Sequence, residues 1–311
     1  MKILITGAAG FIASHVADAY LDAGHEVVIV DNLATGYKHN LNPRAKFYQI
    51  DICDPFLGEV FAAEQPDIVN HHAAQISVPK SIEDPFFDVE VNVKGLINIL
   101  ENCVKYHVNK VIFISSGGAI YGEAEEYPTT ENYQPKPLSV YAINKMVGES
   151  YLHFYYHQYQ LNYTVLRYAN VYGPRQVSHG EAGVVSIFIE KLLNGHIPTI
   201  YAYPNETDGM IRDYVYVADV VRANLLALGR GDNDQFNIGT CVETTTKQLY
   251  NTIQWQMGFD IPPHWGEARK GDLHRSMLDY GKAFKELGWS PIYTLEQGVG
   301  ETIKFFRTKE K

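Results

Sequence analysis

The sequence predicts an α/β fold built on a doubly wound parallel sheet, followed by a smaller C-terminal α/β domain. Two observations predict it: short apolar, β-branched runs alternate with longer amphipathic stretches, and this alternation becomes irregular after residue 173. Continuous apolar strands separated by helices are typical of a parallel sheet covered on both faces. The predicted strands are KILIT (2–6), EVVIV (26–30), KFYQI (46–50), DIVNH (67–71), KVIFIS (110–115) and YTVLR (163–167), and the predicted helices cover 11–23, 85–107 and 141–159.

The change in spacing also indicates where the domains divide. A stretch rich in Gly, His and Pro lies at 173–183, and an acidic stretch containing Pro lies at 203–209. Such stretches favour loops over regular elements. We expect one domain from residues 1–173 with a returning segment of about 213–240, and a second from about 174–212 and 241–311.

Composition and charge argue against several classes of protein. The 311 residues carry a formal net charge of −10 without a basic block, whereas nucleic-acid binding needs clustered Lys and Arg. No window approaches the roughly 18 to 20 apolar residues that cross a bilayer, and the chain opens on an apparent strand without a signal-peptide layout. Cys53, Cys103 and Cys241 stand far apart without a CxxC pattern, which argues against disulfides and cysteine zinc sites. We therefore expect a cytoplasmic protein with no membrane or nucleic-acid partner.

The first chemical signal is the glycine pattern Gly7-Ala-Ala-Gly10, which follows the first strand and opens a helix. Gly7 permits a tight turn, and Gly10 lets a pyrophosphate approach a helix N-terminus, where unpaired N–H groups favour anions. Any tight strand-to-helix turn can show this pattern, so the end of the second strand matters. Asp31 stands there, and a carboxylate at that place accepts both hydroxyls of an adenosine ribose and repels a 2′-phosphate. The pattern therefore predicts a Rossmann-type domain that binds NAD rather than NADP.

The second signal is Tyr141, followed four residues later by Lys145. Composition alone produces about one such pair, and Tyr106 with Lys110 is a decoy that straddles the end of a helix and the start of a strand. Tyr141 and Lys145 begin a long helical stretch, where this spacing stacks both side chains on one face. They follow the strand that ends near Ser116, and ligands of an open parallel sheet lie beyond the carboxyl ends of its strands. Both side chains are therefore predicted to face the cofactor.

Longer motifs accompany these two signals. They are TGAAGFIASH (6–15), VDNLATG (30–36), HHAAQISV (71–78), SSGGAIYGE (115–123), LRYANVYGPRQ (166–176), HGEAGVVSIF (179–188), RDYVYVADV (212–220), FNIGT (236–240) and RKGDL (269–273). With them the chain resembles the extended short-chain dehydrogenase/reductase superfamily and, more narrowly, the UDP-glucose 4-epimerase family, nearly from end to end. The resemblance implies an isomerase of nucleotide sugars in galactose metabolism that uses bound NAD and forms a homodimer.

The resemblance also implies roles for individual residues. The implied catalytic residues are Tyr141, Lys145 and Ser116. The implied cofactor-binding residues are Gly7, Gly10, Phe11, Ile12, Asp31, Asn32, Asp51, Ile52, Ala73, Ala74, Gln75, Asn92, Ser115, Tyr141, Lys145 and Tyr168. The implied substrate-binding residues are Asn170, Val184, Arg212, Arg269, Asp272 and Ser276, and no residue is implied as a metal ligand.

The sequence departs from the family pattern at two positions. Ala13 replaces the usual third glycine of the cofactor turn, and we expect its extra methyl group to be tolerated. Gly117 stands where the family's catalytic Ser or Thr usually precedes the tyrosine of the Tyr-Gly pair by four residues. Ser116, one position earlier, is the expected substitute.

Physical chemistry independently supports acid/base work by the Tyr/Lys pair. A free tyrosine has a pKa of about 10 and is a poor base at neutral pH. The Lys145 ammonium and the positive nicotinamide ring are expected to lower the pKa of Tyr141, which would then take the proton from sugar O4 while the C4 hydride passes to NAD. If the 4-ketose rotates about its pyrophosphate linkage before the hydride returns, the hydride reaches the opposite face of the sugar. C4 of UDP-glucose or UDP-galactose is then inverted.

Such a rotation requires firm anchoring of the diphosphate and looser contacts to the sugar. Bidentate arginines suit that task, and Arg212 and Arg269 are the implied anchors. Arg175 and Arg275 are either further phosphate ligands or members of ordinary surface ion pairs. Ser276 has a short side chain, which predicts room for an N-acetyl group at sugar C2.

Other activities share this fold. A UDP-N-acetylglucosamine-specific or UDP-glucuronate 4-epimerase is the main alternative, because scattered side chains select the sugar. A nucleotide-sugar dehydratase needs an acidic residue near the Tyr-Gly pair, where this chain has Gly117, Gly118 and Ala119. A decarboxylase is a further relative, and a non-catalytic dinucleotide sensor is expected to lose the Tyr141/Lys145 pair.

The resemblance further implies a dimer seam made by two helices of each subunit, at 93–107 and 141–159. Its apolar candidates are Leu96, Ile99, Leu100, Tyr151 and Phe154, although some of them must face the subunit's own sheet. His153 and His157 have helical spacing but lack the glutamate of an HExxH motif, so we expect them on a helix surface rather than at a metal.

Overall fold

A seven-stranded parallel sheet forms the centre of the computed structural model, which describes residues 1–178, 183–268 and 272–309. The strands are β1 (Lys2–Thr6), β2 (Glu26–Val30), β3 (Lys46–Tyr48), β4 (Ile68–His71), β5 (Lys110–Ser116), β6 (Asn162–Tyr168), β7 (Asn170–Tyr172), β8 (Thr199–Ala202), β9 (Ile211–Arg212), β10 (Tyr214–Tyr216), β11 (Asp234–Ile238), β12 (Thr244–Thr245) and β13 (His264–Glu267). The order across the central sheet is β11-β6-β5-β4-β1-β2-β3, and the other strands form three pairs, β7 with β10, β9 with β12 and β8 with β13.

Helices cover both faces of the sheet. They are α1 (Phe11–Asp22), α2 (Leu57–Glu64), α3 (Val78–Glu83), α4 (Pro85–Val89), α5 (Gly95–Lys105), α6 (Gly117–Ile120), α7 (Val140–Tyr159), α8 (Val184–Leu193), α9 (Val217–Ala227), α10 (Thr246–Met257) and α11 (Leu295–Lys309), with a 3₁₀ turn at Lys38–Asn40 and π-helical turns at Glu90–Lys94 and Ala283–Leu287. Within the described residues, no helix combines the length and the apolar character needed to span a bilayer.

Strand β1 shows how the sequence produces these layers. Ile3, Leu4 and Ile5 are all fully buried. Successive side chains of a strand point to opposite faces, so Ile3 and Ile5 enter one hydrophobic core and Leu4 enters the other. A strand that is apolar on both faces is stable only between two layers of helices, as the uninterrupted KILIT run predicts.

The chain changes direction across the sheet between β3 and β4. After β3 at one edge, β4 returns to lie beside β1, so that β1 and β4 border the point where the strand order reverses. In the sheet register Thr6 lies opposite His71, and Ser116 at the end of β5 lies opposite Tyr168 at the end of β6. The carboxyl ends of these strands therefore meet at one edge, where open α/β sheets bind ligands.

The largest differences between the predicted and the observed elements lie in the third strand and at 85–107. The third strand ends at Tyr48 rather than at residue 50. The single helix predicted at 85–107 is two helices joined by a π-helical turn, and Asp84 caps the first of them by accepting a hydrogen bond from the Phe87 amide at 3.0 Å. Apolar periodicity continued through the π-helical turn, so it could not reveal the extra residue that turn contains.

Three of the residues proposed for a dimer seam contact the subunit's own core instead. Leu96, Ile99 and Leu100 are each 0% exposed and belong to the hydrophobic cluster beneath the sheet. Helix α5 packs its most apolar face against that sheet, so these side chains are unavailable to a second subunit. Tyr151 is half-buried against the same cluster, whereas Phe154 on α7 is 50% exposed.

A third hydrophobic cluster lies outside the central sheet. Helices α8, α10 and α11 contribute Phe188, Ile253 and Val299, which pack with Tyr172 and Tyr216 from the β7/β10 pair. Residues 213–240 run between the two regions, because α9 packs against α1 and β11 extends the central sheet. The strand ends of the sheet and this cluster together border the site.

Candidate active site

The turn after β1 brings two backbone segments very close together. Gly7 has φ +76°, and its amide donates a hydrogen bond to Val30 at 2.9 Å. A Cβ on Gly7 would lie 2.8 Å from the Ala73 amide nitrogen, so this position requires glycine. Gly10 directly precedes α1 and has no side chain to cover the N-terminus, which leaves the first N–H groups of the helix available to an anion.

The end of β2 holds a carboxylate in a fixed orientation. One oxygen of Asp31 accepts from the Ala9 amide at 2.9 Å, and the other accepts from the Leu33 amide at 2.7 Å. A carboxylate has about four acceptor positions, so two remain for ribose hydroxyls. The side-chain Nδ2 of Asn32 donates to Asp51 Oδ2 at 2.6 Å, which links the segments that follow β2 and β3.

The other predicted cofactor residues near this turn have mixed environments. Phe11 packs against the third hydrophobic cluster, whereas Ile12 packs against the first. Ile52 is buried, and its Cδ1 would lie 2.6 Å from a Cβ on Gly95. Ala74 lies half-buried in the loop after β4.

That loop is tied both to the sheet and to the π-helical turn. The Ala73 amide donates to Thr6 Oγ1 at 3.1 Å. Gln75 and Asn92 exchange two hydrogen bonds, from the Gln75 amide to Asn92 Oδ1 at 3.0 Å and from Asn92 Nδ2 to the Gln75 carbonyl at 2.9 Å. Asn92 therefore fixes the backbone of the loop that faces the glycine turn.

Helix α7 carries Tyr141 and Lys145 on the face that meets the strand ends. Ser139 caps this helix by accepting from the Ala142 amide at 3.2 Å. The Lys145 ammonium donates to the Ile114 carbonyl at 2.9 Å and lies 5.9 Å from the centre of the Tyr141 ring. The spacing in the sequence thus becomes a spatial pair, as predicted.

The two adjacent serines at the end of β5 have different partners. Ser115 is buried, and its hydroxyl donates to Glu149 Oε1 at 2.6 Å. The Ser116 side chain lies near the Tyr141 phenol and lowers its pKa. A Cβ on Gly117 would lie 2.5 Å from Leu278 Cδ1, so a Ser or Thr at that position would displace Leu278. A hydroxyl on Ser116, one position earlier, avoids this contact.

Burial dominates the electrostatics of the pair. It raises the pKa of Tyr141 to about 12, and Ser116 opposes that rise only in part. Burial also lowers the pKa of Lys145 to about 8. The expected lowering of the pKa of Tyr141 involves the nicotinamide ring as well as Lys145, so it stays a prediction.

Tyr168 lies beside Ser116 in the sheet register and is fixed from behind. Its hydroxyl accepts a hydrogen bond from Asn224 Nδ2 at 2.6 Å, and its ring centre lies 6.5 Å from that of His72. Asn224 is fully buried on α9. Sequence reasoning missed this residue, because an asparagine inside an apolar helix gives no signal of the partner it will meet.

Two of the predicted substrate residues lie on adjacent segments. The Ser276 amide donates to the Ile211 carbonyl at 3.1 Å, and Arg212 follows Ile211 directly. Arg212 donates to that same carbonyl at 2.9 Å and has no carboxylate partner among the described residues. Its guanidinium is therefore available for an anionic ligand. Ser276 is 5% exposed, and its side chain is as short as predicted.

The other substrate candidates border the same region. Asn170 has a buried Oδ1 without a hydrogen-bond partner among the described residues, and a Cβ on Gly118 would lie 3.5 Å from it. Val184 begins α8, and the Asp272 carbonyl accepts from the Tyr203 hydroxyl at 2.6 Å. Arg269 lies outside the described residues.

The two further arginines are both paired with carboxylates. Arg175 lies 2.8 Å from Asp18 on α1. Arg275 pairs with Glu243 and stacks over the Tyr127 ring, 4.3 Å from its centre. Of the two readings left open by the sequence, ion pairing is the one that the structure shows.

Asp213 is a buried residue that sequence reasoning missed. Its carboxylate is fully buried and accepts from the Thr240 amide at 2.8 Å, the Thr240 hydroxyl at 2.6 Å and the Leu278 amide at 3.2 Å. It thereby joins the segment of Arg212 to two loops that follow it in the chain. Its place directly after Arg212 in the RDYVYVADV motif was the available signal.

The geometry of the strand ends fits a dinucleotide. Three features carry this fit: the glycine turn that a Cβ would fill, the uncovered N-terminus of α1, and the free acceptor positions of Asp31. Within the described residues, no group of three or more His, Cys, Asp or Glu residues lies close enough together to hold a metal ion.

Comparison with known proteins agrees with this geometry. Residues 3–239 match the model of the NAD dependent epimerase/dehydratase family. The UDP-glucose 4-epimerase of Mycolicibacterium smegmatis is 43% identical over 317 residues, which cover 100% of both chains. The crystal structure of UDP-glucose 4-epimerase from Thermotoga maritima with UDP-glucose matches at a TM-score of 0.97 and 48% identity over 100% of both chains. The Thermus thermophilus UDP-glucose 4-epimerase in complex with NAD matches at a TM-score of 0.94 and 42% identity over 99% of both chains.

These matches extend over the whole chain, and the matched fold is the one that carries the glycine turn, Asp31 and the Tyr141/Lys145 pair. The chain belongs to the NAD-dependent epimerase/dehydratase family.

Proposed function

We propose that this protein inverts C4 of a UDP-hexose, interconverting UDP-glucose and UDP-galactose through a transient 4-keto sugar. The observation that carries the proposal is the placement of Tyr141 and Lys145 on one face of α7, with the Lys145 ammonium 5.9 Å from the Tyr141 ring centre and bonded to the Ile114 carbonyl, at strand ends that fit NAD. Relatives covering the full chain carry the name of this activity. When bound, NAD supplies a reversible hydride acceptor for C4.

In this proposal Tyr141 moves the proton at sugar O4. It accepts that proton as the C4 hydride leaves and returns it when the hydride comes back to the opposite face. Ser116 orients the sugar hydroxyl, and the Lys145 ammonium stabilises the phenolate. Because burial raises the pKa of Tyr141 to about 12, the phenolate requires a further positive charge beside it, such as an oxidised nicotinamide ring.

Arg212 is proposed to anchor the diphosphate while the 4-keto sugar rotates in the site. Its guanidinium has no competing carboxylate among the described residues, in contrast to Arg175 and Arg275. The proposed sugar contacts, Asn170 and Ser276, are few and uncharged. Such an arrangement holds the nucleotide firmly and leaves the hexose free to present either face.

The sugar pocket is proposed to be wide enough for an N-acetyl group at C2 of the sugar. Ser276 stands close to Arg212 through the Ile211 carbonyl, and its side chain adds little volume at the proposed C2 position. A UDP-glucuronate 4-epimerase is not favoured by the relatives found. The segment before Tyr121 holds Gly117, Gly118 and Ala119, so it lacks the acid that a dehydratase would use there.

The two regions are proposed to divide the work. Residues 1–173 with the returning segment of about 213–240 would bind NAD, and about 174–212 with 241–311 would bind the nucleotide sugar. Two hydrophobic clusters flank the central sheet and a third lies among α8, α10 and α11, which supports this division. Cytoplasmic localisation is proposed from the three free cysteines, of which Cys103 is buried.

A homodimer is proposed with a corrected seam. Helices α4 and α7 carry several exposed apolar residues, among them Phe86 (87%), Val89 (43%), Ile143 (42%) and Phe154 (50%). Exposed apolar side chains on adjacent helices are typical of a protein interface. We expect wild-type protein to sediment as a dimer and Phe154→Glu to weaken it, with Gln158→Glu on the same helix as the control. A monomer at micromolar concentration would contradict this proposal.

A panel of UDP-glucose, UDP-N-acetylglucosamine and UDP-glucuronate tests the function itself. Product analysis should show 4-epimers of the first two sugars without added NAD. Activity on UDP-glucuronate alone, or release of carbon dioxide or water from the sugar, would replace the proposed function by one of its relatives. Tyr141→Phe serves as the inactive control.

A further inference from the structure

Asp88 on α4 is a fully buried carboxylate that contacts only uncharged donors. Its Oδ1 accepts from Asn144 Nδ2 at 2.6 Å and from Asn92 Nδ2 at 3.1 Å, and its Oδ2 accepts from Gln75 Nε2 at 2.6 Å. Neither the sequence motifs nor the proposed mechanism includes it. Burial of a charge is costly, so a carboxylate kept in such a place requires an explanation.

The carboxylate of Glu149, which is 13% exposed, provides a contrast. Arg167 contacts both of its oxygens, at 3.0 and 2.5 Å, so its charge is neutralised directly. Asp88 has no Lys, Arg or His nitrogen within 4.0 Å among the described residues. Its negative charge is therefore uncompensated by contact and acts on groups a little farther away.

The three amides that Asp88 holds come from the parts that must meet in catalysis. Gln75 lies in the loop that faces the glycine turn, and Asn92 fixes the backbone of that loop. Asn144 directly precedes Lys145 on α7. The start of α7 is also tied to α3, because the Tyr141 amide donates to Oγ of Ser81 on that helix at 3.1 Å. Asp88 thus joins the cofactor loop to the catalytic helix.

The charges that face Lys145 identify the group on which Asp88 acts. Two carboxylates act on Lys145: Glu149 on α7, which is paired with Arg167, and Asp88 on α4. Both raise the pKa of Lys145 against the effect of burial. From β4 and the loop after it come His71 and His72, whose pKa values burial lowers to about 3, so they are neutral near pH 7. Asp88 also raises the pKa of Tyr141.

We propose that Asp88 is a positioning residue whose carboxylate fixes the cofactor loop against the catalytic helix, through Gln75, Asn92 and Asn144, the residue before Lys145. The proposal rests on the proposed roles of Tyr141 and Lys145 and extends them to a residue outside the substrate pocket. It accounts for a buried charge that neutral amides hold in place without neutralising it. An amide at this place would keep only one of the two acceptor oxygens, so a loss of activity alone cannot identify a role for the charge, whereas a displaced pH profile can.

The decisive variant is Asp88→Asn, which keeps the size of the side chain, removes the charge and replaces one acceptor oxygen by an N–H2 donor. Loss of the charge lowers the pKa of Lys145 and also that of Tyr141, because Asp88 raises both. Both limbs of the pH profile of kcat should therefore move toward acid, by at least about 0.5 pH unit. The NAD retained per subunit after purification should fall as well, because the loop of Gln75 loses its contact.

Three further variants separate charge from geometry. Asn144→Ala removes one contact without changing charge, so kcat should fall with no displacement of the pH profile. Glu90→Gln, an exposed glutamate paired with Lys94 near Asp88, should leave kcat and the profile unchanged. The exchange Asp88→Asn with Asn144→Asp restores one carboxylate and one amide to the same 2.6 Å contact, and it should return the profile toward that of wild type.

Each outcome decides the point. A wild-type pH profile and full NAD content in Asp88→Asn would overturn the proposal while leaving the epimerase function intact. If that single variant fails to fold, a folded exchange variant with a wild-type profile supports the proposal, and one whose profile stays displaced overturns it. Absence of turnover in the wild-type protein would instead contradict the proposed function, and the NAD content of the variants would still test the positioning role.

Discussion

Gly117 and Leu278 lie so close together that a Cβ on the glycine would be 2.5 Å from Leu278 Cδ1. This contact leaves the usual position of the catalytic hydroxyl without a side chain, and Ser116 reaches Tyr141 from one position earlier. Leu278 is itself fixed, because its amide donates to the buried Asp213 at 3.2 Å. The departure from the family pattern is thus compensated locally.

The first prediction separates the two serines. Ser116→Ala should lower kcat about a hundredfold, because a donor that contacts the reacting phenol is lost. Ser115→Ala should mainly lower the melting temperature, because it leaves Glu149 one donor short. Steady-state kinetics and thermal unfolding of both variants test this. If Ser115→Ala has the larger effect on kcat, the assignment of the catalytic hydroxyl is off by one residue.

The second prediction concerns the acid/base pair. Tyr141→Phe should lower kcat about a thousandfold or more and leave UDP binding nearly intact, because the ring remains and only the oxygen that moves the proton is lost. Lys145→Ala should also reduce kcat and, in addition, reduce the NAD content. Calorimetric titration with UDP checks binding independently of turnover. A Tyr141→Phe variant with substantial turnover would remove this residue from the mechanism.

The third prediction is tightly bound NAD. Denatured wild-type protein should release close to one NAD per subunit, since the reaction returns its hydride and needs no external cofactor. Gly7→Ala should lose the nucleotide, because a left-handed alanine costs roughly 1–2 kcal/mol and its Cβ would lie 2.8 Å from the Ala73 nitrogen. Gly24→Ala tests the conformational cost alone, since φ is +83° there and no atom lies within 4 Å of the added Cβ. Activity that depends wholly on added NADP would contradict this reading.

The fourth prediction is an alkaline limit to turnover. Burial lowers the pKa of Lys145 to about 8, so the ammonium is present below that pH and is lost as the pH rises through it. The positive nicotinamide ring of bound NAD would lower the pKa of Lys145 further. As the pH rises, kcat should therefore begin to decline at about pH 8 or earlier. The measurement is kcat at saturating UDP-glucose between pH 6 and pH 10, with thermal unfolding at each pH as the control. A constant kcat up to pH 10 would show that the charge of Lys145 is not required.

The fifth prediction tests sugar width. Wild-type protein should epimerise UDP-N-acetylglucosamine as well as UDP-glucose. Ser276→Tyr should lower kcat/KM for the N-acetyl sugar at least about tenfold more than for the plain hexose, because only the larger substrate meets the added ring. Ser276→Ala is the matched control and should retain both activities. Equal losses on both sugars in the tyrosine variant would refute the assignment of Ser276.

The parallel sheet was predictable because the signals that specify it are local. Each strand of the first half carries its own apolar run, and Gly7 and Asp31 stand at fixed distances from strands that can be recognised in the sequence. The Tyr141/Lys145 pair was predictable because a helix converts a spacing of four into proximity.

The remainder depends on contacts between distant parts of the chain. Asn224 meets Tyr168 across 56 residues, and Asp88 meets Asn144 across the same separation. No local pattern encodes such a meeting. The burial that raises the pKa of Tyr141 could not be predicted for a related reason, since the degree of burial is a property of the packed protein rather than of the spacing.

The backbone bond between Ser276 and Ile211 has a consequence for how this enzyme can diversify. Position 276 is joined to the segment of Arg212 by a main-chain N–H, so the identity of its side chain does not enter that junction. If Ser276 borders the sugar as proposed, a substitution there can alter the preference for the sugar while the backbone link to Arg212 is kept. Substrate preference and the geometry of the arginine segment can then evolve separately.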